Sequence, residues 1–232
     1  MQAETGRVSI EGVPGPRLDT YSSPAAPRAL VLMLHGGQQQ NLGPVEDKHA
    51  SWWRMASMAR SLRAFSVDND LALSLLQHRL RGWNSDTDPA PVPDARWAID
   101  RITAEYPDVP VVLVGHSMGG RTACRVADHP AVLGVVGLAP WLPLGEPNNA
   151  IRGRHLHVIH GTADPWTSAA ASRTYVGRSV PIAIDATWTS LPGAGHFMLR
   201  RVATWRRFVE DSVTDILSAS SSHEEAPNKG SA

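Results

Sequence analysis

Residues 109–120 have the sequence VPVVLVGHSMGG, in which an apolar run leads into a serine between glycines. The run Val109–Val114 predicts a strand that is buried on both faces of a parallel sheet. A helix is predicted from Arg121 to Ala127, entered through glycines. A Gly-x-Ser-x-Gly turn between such a strand and helix holds Ser117 in a strained backbone conformation and raises its hydroxyl above the sheet edge. The competing interpretation is a glycine-rich turn with an ordinary serine.

Apolar runs and turn residues make strands and helices alternate through most of the chain. Such alternation predicts an α/β fold, with a mostly parallel central sheet and helices on both faces. Arg7–Ile10 and Leu18–Tyr21 are predicted to form a pair of edge strands. The other predicted strands are Ala29–Leu34, Leu71–Leu76, Val132–Leu138, Leu156–Ile159 and Thr187–Leu191, and the other predicted helices are Trp52–Phe65, Asp94–Tyr106, Ser168–Val176 and a closing helix with an apolar face from Val202 to Ile216.

The length of 232 residues suits one domain with a sizeable core. Residues 1–217 are therefore expected to form a single domain. Residues 218–232 are rich in Ser, Glu and Pro, and this composition predicts a disordered tail.

Composition narrows the choice of partners and location. Lys+Arg and Asp+Glu both total 22, so nothing in the charge favours nucleic acid as a partner. Cys124 is the only cysteine, which excludes an intrachain disulfide and a thiolate metal cluster. Met1–Ile10 lacks the apolar core of a secretory signal, and no apolar run is long enough to predict a transmembrane segment. A cytoplasmic protein without a cofactor is expected, and its oligomeric state stays open.

Four segments resemble motifs of the α/β-hydrolase superfamily and occur in the order that this family uses. VGHSMGG (114–120) resembles its nucleophile elbow, LHGG (34–37) its oxyanion loop, and HGTADP (160–165) and GAGHF (193–197) its acid and histidine loops. The resemblance spans residues 28–210 and implies a small serine esterase-, lipase- or thioesterase-like member with the chain order Ser, Asp, His. Because a serine occupies the elbow, relatives that use an aspartate there, such as epoxide hydrolases and haloalkane dehalogenases, are disfavoured.

His196 is the strongest candidate for a general base among the ten histidines. It follows a predicted strand in a flexible Gly-Ala-Gly loop, which lets its imidazole reach Ser117. His155, His157 and His160 suggest a metal cluster at first sight. On a strand, however, His155 and His157 share one face and His160 lies on the other, so the three cannot converge without a bend. No metal site is predicted.

Asp164 is the predicted acid that orients the histidine. It closes the strand Leu156–Ile159 and precedes Pro165, so the chain turns away and exposes the carboxylate. Asp128 and Asp185 are the competitors, and both are interpreted as solvated surface carboxylates. In this assignment a serine attacks a carbonyl carbon, a histidine takes the proton, and the aspartate fixes the imidazole tautomer.

Two backbone N–H groups are expected to stabilise the oxyanion of a tetrahedral intermediate. Met118 supplies one by its position at a helix N-terminus. The resemblance implies that Gly37 supplies the other, with Gln38 as the near alternative and as a candidate substrate contact.

The substrate pocket is less well defined by the sequence. In many relatives a cap domain follows the strand after the nucleophile helix, whereas here only residues 139–154 separate two predicted strands, so a sizeable cap is not expected. Trp141, Trp166 and Phe197 lie in loops at the catalytic end, with Trp83 in a matching position. These aromatic residues are predicted either to line an apolar acyl pocket or to pack beneath its rim.

The sequence therefore predicts a serine hydrolase that cleaves a small-molecule carboxylic ester or thioester through an acyl-enzyme. Two alternatives remain open. One is a non-catalytic ligand-binding or interaction protein that keeps the fold, and the other is an acyltransferase that uses the same three residues.

Overall fold

The computed structural model describes residues 13–224, with side chains from residue 13 to residue 220. Strands and helices alternate along this part of the chain. The strands are β1 (Arg17–Ser22), β2 (Ala29–Leu34), β3 (Leu71–Gln77), β4 (Val111–His116), β5 (Val132–Leu138), β6 (His155–Gly161) and β7 (Asp185–Leu191). The helices are α1 (Ala50–Asp68), α2 (Pro91–Glu105), α3 (Met118–Val126), α4 (Ala169–Ser179) and α5 (Val202–Glu224), and a 3₁₀ turn covers Asn149–Ile151.

The strands form one sheet in the order β1-β3-β2-β4-β5-β6-β7. β1 is antiparallel to β3, and every other neighbouring pair is parallel. The predicted α/β fold class is therefore confirmed. Because parallel strands end at the same edge, the loops after β2, β4, β6 and β7 all meet at the carboxyl edge of the sheet.

Helices cover both faces of the sheet and bury two apolar layers. α1 and α5 lie on one face, where Met55 and Trp205 are fully buried. α2, α3 and α4 lie on the other face, where Ile99 and Tyr175 are buried. β2 and β4 are buried along their whole length, as their almost entirely apolar sequences predict for strands that are covered on both faces.

Two element boundaries beside Ser117 differ from the sequence prediction. β4 begins at Val111 instead of Val109, after a proline that has no N–H to donate to a strand ladder, and it continues to His116. α3 begins at Met118 instead of Arg121. The low helix propensity of two glycines favours the later start, but the N–H groups of Gly120 and Arg121 already donate to the carbonyl of Ser117, so the helix includes the glycines.

Helix α5 continues through residues 218–224, so the predicted disordered tail is wrong for this segment. Buried side chains such as Trp205, Val209 and Ile216 anchor the helix on the sheet, and adding further turns to a formed helix costs little. Residues 225–232 and the predicted strand Arg7–Ile10 lie outside the described residues.

The segment between β5 and β6 is short and contains the 3₁₀ turn as its regular structure. In residues 13–224, accordingly, no cap domain covers the carboxyl edge, as the sequence predicted. None of the helices described here is long and apolar enough to cross a membrane.

Candidate active site

Ser117 occupies a strained turn between β4 and α3. Its backbone has φ 54° and ψ −117°, a conformation that residues with a side chain rarely adopt. The flanking glycines permit the turn because their neighbours leave no room for a Cβ atom. A Cβ on Gly115 would lie 2.3 Å from the carbonyl oxygen of Gly119, and one on Gly119 would lie 2.2 Å from that of Leu34. The Gly-x-Ser-x-Gly pattern is thus a steric requirement of this turn.

His196 lies in the loop between β7 and α5 and reaches the serine. Its Nε2 is 3.0 Å from Ser117 Oγ, within hydrogen-bonding distance. The buried ring of His116 supports this loop, since its Nε2–H donates to the carbonyl of His196 at 2.9 Å. Arg54 of α1 supports it from the other side by donating to the carbonyl of Met198 at 2.5 Å. Two separate elements therefore hold the histidine loop over the serine.

Asp164 lies after β6 and completes a continuous chain of hydrogen bonds. Its Oδ2 is 2.8 Å from His196 Nδ1. Oδ2 also accepts from Thr167 Oγ1 at 2.8 Å and lies 3.1 Å from His160 Nε2, while Oδ1 accepts the backbone N–H groups of Trp166 and Thr167. Burial of the side chain opposes its charge, but the hydrogen bonds from His160, His196 and Thr167 outweigh burial and lower the pKa of Asp164.

The ionised carboxylate fixes the proton positions on His196. Since a carboxylate only accepts, the Nδ1 of His196 carries the proton, and Nε2 presents its lone pair to Ser117 Oγ. An imidazole in this tautomer is able to take a proton from a serine hydroxyl. The structure brings the three predicted residues together in one hydrogen-bonded row.

The two competing aspartates lie elsewhere. Asp128 is a surface carboxylate paired with Arg96 at 2.9 Å, as predicted. Asp185 is not simply solvated, because it contacts His155 and His157 of the neighbouring strand. Its interpretation as a solvated surface carboxylate was wrong, since the register of β6 and β7 could not be determined from the sequence.

Gly37 lies in the loop after β2 and Met118 is the first residue of α3, and within residues 13–224 the N–H groups of both lack a backbone acceptor. Gln38 does not offer the alternative donor, because its N–H donates to the carbonyl of Arg81 at 2.8 Å. A Cβ on Gly37 would lie 2.4 Å from the side chain of Met118, so the Gly37 loop and the start of α3 are in close contact. Two free N–H groups at this point are suited to bind an oxyanion.

The buried His35 holds the Gly37 loop in place. Its Nδ1–H donates to the carbonyl of Gly36 at 2.6 Å, and its Nε2 accepts the N–H of His78 at 3.1 Å. Burial lowers the pKa of His35 well below its usual value, which is consistent with a neutral ring that both donates and accepts.

The predicted substrate contacts differ in their exposure and in the residues they contact. Trp166 and Phe197 are 70% and 39% exposed, and their rings meet edge to face with centroids 5.9 Å apart. The Phe197 ring also contacts the ring of His196, at 5.3 Å. Trp83 and Trp141 instead both contact the guanidinium of Arg121, and Trp83 is buried while Trp141 is half-buried. Gln38 is exposed and accepts a hydrogen bond from Asn41.

Several residues of this site were not predicted from the sequence. His160 was considered only as a metal ligand, yet it donates to Asp164, and its Nδ1 lies 2.6 Å from Ser172 Oγ. Thr167 contacts both Asp164 and the Nδ1 of His196, at 2.8 and 3.1 Å. Arg54 gave one signal that could have been used: it is an arginine beside the apolar stripe of α1 that contains Trp52 and Met55.

Buried histidines around the site predict sensitivity to acid. Burial lowers the pKa values of His78 and His116 to about 3 and that of His35 well below 6.5. In the unfolded chain these rings take up protons below about pH 6.5, whereas the folded chain excludes them, so stability is full above that pH and is lost as the pH falls. With three such groups the free energy of unfolding should fall by about 1 kcal/mol between pH 7.5 and 6.5 and by about 3 kcal/mol between pH 6.5 and 5.5.

Urea unfolding at pH 7.5, 6.5 and 5.5 measures this slope. His78→Gln should reduce the slope by about one third, while His129→Gln, at a histidine that is not buried, should leave it unchanged. An equal free energy of unfolding at pH 7.5 and 5.5 would contradict the prediction.

Comparisons with known proteins agree with this fold. The model of a family described as the alpha/beta hydrolase family matches residues 31–217. The chain therefore belongs to the alpha/beta hydrolase family. A comparison with curated proteins gave no match.

Solved structures with the same fold include several hydrolases. A serine hydrolase without a lid from Xanthomonas campestris is 17% identical, with 86% of this chain and 88% of that chain covered and a TM-score of 0.63. Est1E from Butyrivibrio proteoclasticus is 12% identical, with 90% and 97% covered and a TM-score of 0.62. A monoacylglycerol lipase from Paleococcus ferrophilus is 16% identical, with 88% and 98% covered and a TM-score of 0.59. These likenesses establish the fold.

Proposed function

We propose that this protein is a serine hydrolase that cleaves a carboxylic ester or thioester through an acyl-enzyme. One observation carries the proposal: the row Asp164–His196–Ser117 is joined by contacts of 2.8 and 3.0 Å and ends beside two free N–H groups. A protein without catalytic activity has no chemical reason to keep a buried carboxylate, an oriented imidazole and a strained serine in one row.

The proposed reaction begins with attack of Ser117 Oγ on the substrate carbonyl carbon while His196 Nε2 takes the hydroxyl proton. The oxyanion then lies between the N–H groups of Gly37 and Met118, each worth about 3–4 kcal/mol in the transition state. His196 gives the proton to the leaving alcohol or thiol, and the acyl group stays on the serine. Water, activated by the same imidazole, releases the acid and restores the enzyme.

The surroundings of the serine favour a small or medium acyl substrate with an apolar part. No cap covers the carboxyl edge within the described residues, and Trp166 and Phe197 form an exposed apolar surface next to His196. Among the structural neighbours, Est1E has been solved with ferulic acid bound, and another neighbour is a monoacylglycerol lipase. Ferulic acid is a carboxylic acid and a monoacylglycerol is a carboxylic ester, so both neighbours are consistent with acyl chemistry on this fold.

A fluorophosphonate probe followed by a substrate panel tests this function. The protein should be labelled once per chain, and it should hydrolyse p-nitrophenyl esters or acyl thioesters. Absence of both labelling and hydrolysis would favour a binding protein. Labelling with product formation only after an alcohol or amine acceptor is added would favour an acyltransferase.

His160 is proposed to position Asp164, and His160→Leu should expose this role because leucine has no hydrogen-bond donor. Loss of the hydrogen bond leaves the carboxylate with its other donors, so kcat should fall by about tenfold while KM changes little. Steady-state kinetics on a p-nitrophenyl ester measure the split, with His129→Leu as a control. A parent-like kcat in a folded His160→Leu protein would refute the role.

A further inference from the structure

Two histidines of β6 and an aspartate of β7 meet at the end of the sheet opposite to Ser117. His155 and Asp185 are the first residues of their strands and are register partners in the parallel ladder. His157 lies two residues further along β6 on the same face. Asp164 and His196, by contrast, follow the carboxyl ends of β6 and β7. The cluster is therefore separate from the candidate active site.

The nitrogen and oxygen atoms of the three residues converge. His155 Nδ1 contacts Asp185 Oδ1, and His157 Nε2 lies 2.8 Å from Asp185 Oδ2. One ligand atom from each residue lies within 4.8 Å of the other two. The imidazoles are only 7% and 9% exposed, whereas the carboxylate is 39% exposed. Two almost buried imidazoles thus face one carboxylate that solvent reaches.

This ligand set matches the chemistry of a zinc-class ion. Imidazole and carboxylate ligands bind Zn²⁺ at about 2.0–2.2 Å, which places tetrahedral ligand atoms about 3.4 Å apart. To admit an ion, the carboxylate has to withdraw by about half an ångström from His157 and by about one ångström from His155. Asp185 has that freedom because it is partly exposed at the start of an edge strand. Each imidazole would bind the ion through one ring nitrogen and keep its N–H proton on the other.

We propose that His155, His157 and Asp185 bind one divalent ion of the zinc class, with water in the open coordination position. Two nitrogen ligands favour Zn²⁺ and its neighbours over Mg²⁺ and Ca²⁺, which prefer oxygen. The ion joins β6 to the edge strand β7 at their amino ends. Bound metal stabilises the folded chain, since the three ligands are brought together only by folding.

Equilibrium dialysis of the chelator-treated full chain against ZnCl₂, with metal analysis of the protein, tests the site. The parent should bind one zinc per chain, and its melting temperature should rise by several degrees. Asp185→Asn keeps an oxygen that accepts hydrogen bonds but removes the anionic ligand, and His157→Gln removes one imidazole. Either change should weaken zinc binding at least tenfold.

Matched controls separate this site from other histidines. His129→Gln alters another His–Asp pair, 3.3 Å from Asp100, and should bind zinc like the parent. His196→Gln should also bind zinc like the parent, because the proposed ion lies at the far end of the sheet. Melts without metal establish that the variants fold, and having two ligand variants covers the case in which one does not.

Three outcomes would overturn the proposal. They are no zinc bound by the parent at 100 times the protein concentration, equal affinity in the parent and in a folded ligand variant, or loss of binding in His129→Gln or His196→Gln. None of these readouts depends on ester hydrolysis, so failure of the metal site and failure of the proposed function are distinguishable.

Discussion

Ser117→Ala should lower kcat for ester hydrolysis by about 10⁶-fold and should abolish labelling by a fluorophosphonate probe. The change removes the proposed nucleophile, while His196 and Asp164 stay in place. The strained backbone at this position should tolerate alanine as well as serine, because both residues have a Cβ atom and alanine lacks only the hydroxyl group. The folded structure should therefore survive, and the loss should be chemical.

Ser190→Ala provides the matched control for that experiment. Ser190 is exposed near the end of β7, and its variant should keep parent-like turnover and labelling. Kinetics with purified proteins, together with thermal melts, decide the outcome. If folded Ser117→Ala hydrolysed activated esters at the parent rate, the nucleophile would have to be another residue.

Asp164→Asn should lower kcat by up to ~10⁴-fold. The asparagine keeps the size of the aspartate, but its amide favours the wrong imidazole tautomer, so Nε2 of His196 no longer presents a lone pair to Ser117. The charge that stabilises the imidazolium is also lost. Stability should fall by about 1–3 kcal/mol, because donors that now share the carboxylate lose their acceptor.

Asp128→Asn is the control for the acid assignment. Its carboxylate lies at the surface beside Arg96, so its removal should change the rate by less than about threefold and stability by roughly 0.5 kcal/mol or less. Kinetics and thermal melts on the two variants make the comparison. Near-parent activity in folded Asp164→Asn would remove Asp164 from the proposed row.

The fold and the positions of Ser117, Asp164 and His196 could be predicted because both follow from local sequence patterns. Apolar runs such as Ala29–Leu34 give buried strands, and parallel strands deliver their following loops to one edge of the sheet. Ser117, Asp164 and His196 each follow such a strand. They are far apart in the chain, yet the topology alone brings their loops together.

Features that depend on strand register or on packing were not predictable. Asp185 was interpreted as a solvated surface carboxylate because nothing in its own segment indicates that it stands opposite His155. Gln38 was a candidate oxyanion donor because its N–H follows that of Gly37. Its bond to Arg81 joins two loops that are distant in the chain, so the sequence could not show that this N–H is already occupied. The tail prediction relied on composition, whereas packing of α5 on the sheet carries the helix to Glu224.

Mass spectrometry of the intact chain during turnover shows whether Ser117 carries an acyl group. Mixing the protein with a p-nitrophenyl ester of a bulky acid, whose acyl-enzyme is expected to hydrolyse slowly, should add the mass of one acyl group. Digestion should place that group on Ser117, and Ser117→Ala should show no adduct. Burial raises the pKa of the Cys124 thiol to about 12, so this thiol should stay unreactive. Nitrophenol release without any adduct, or an adduct on another residue such as Cys124, would contradict the assignment of Ser117 as the nucleophile.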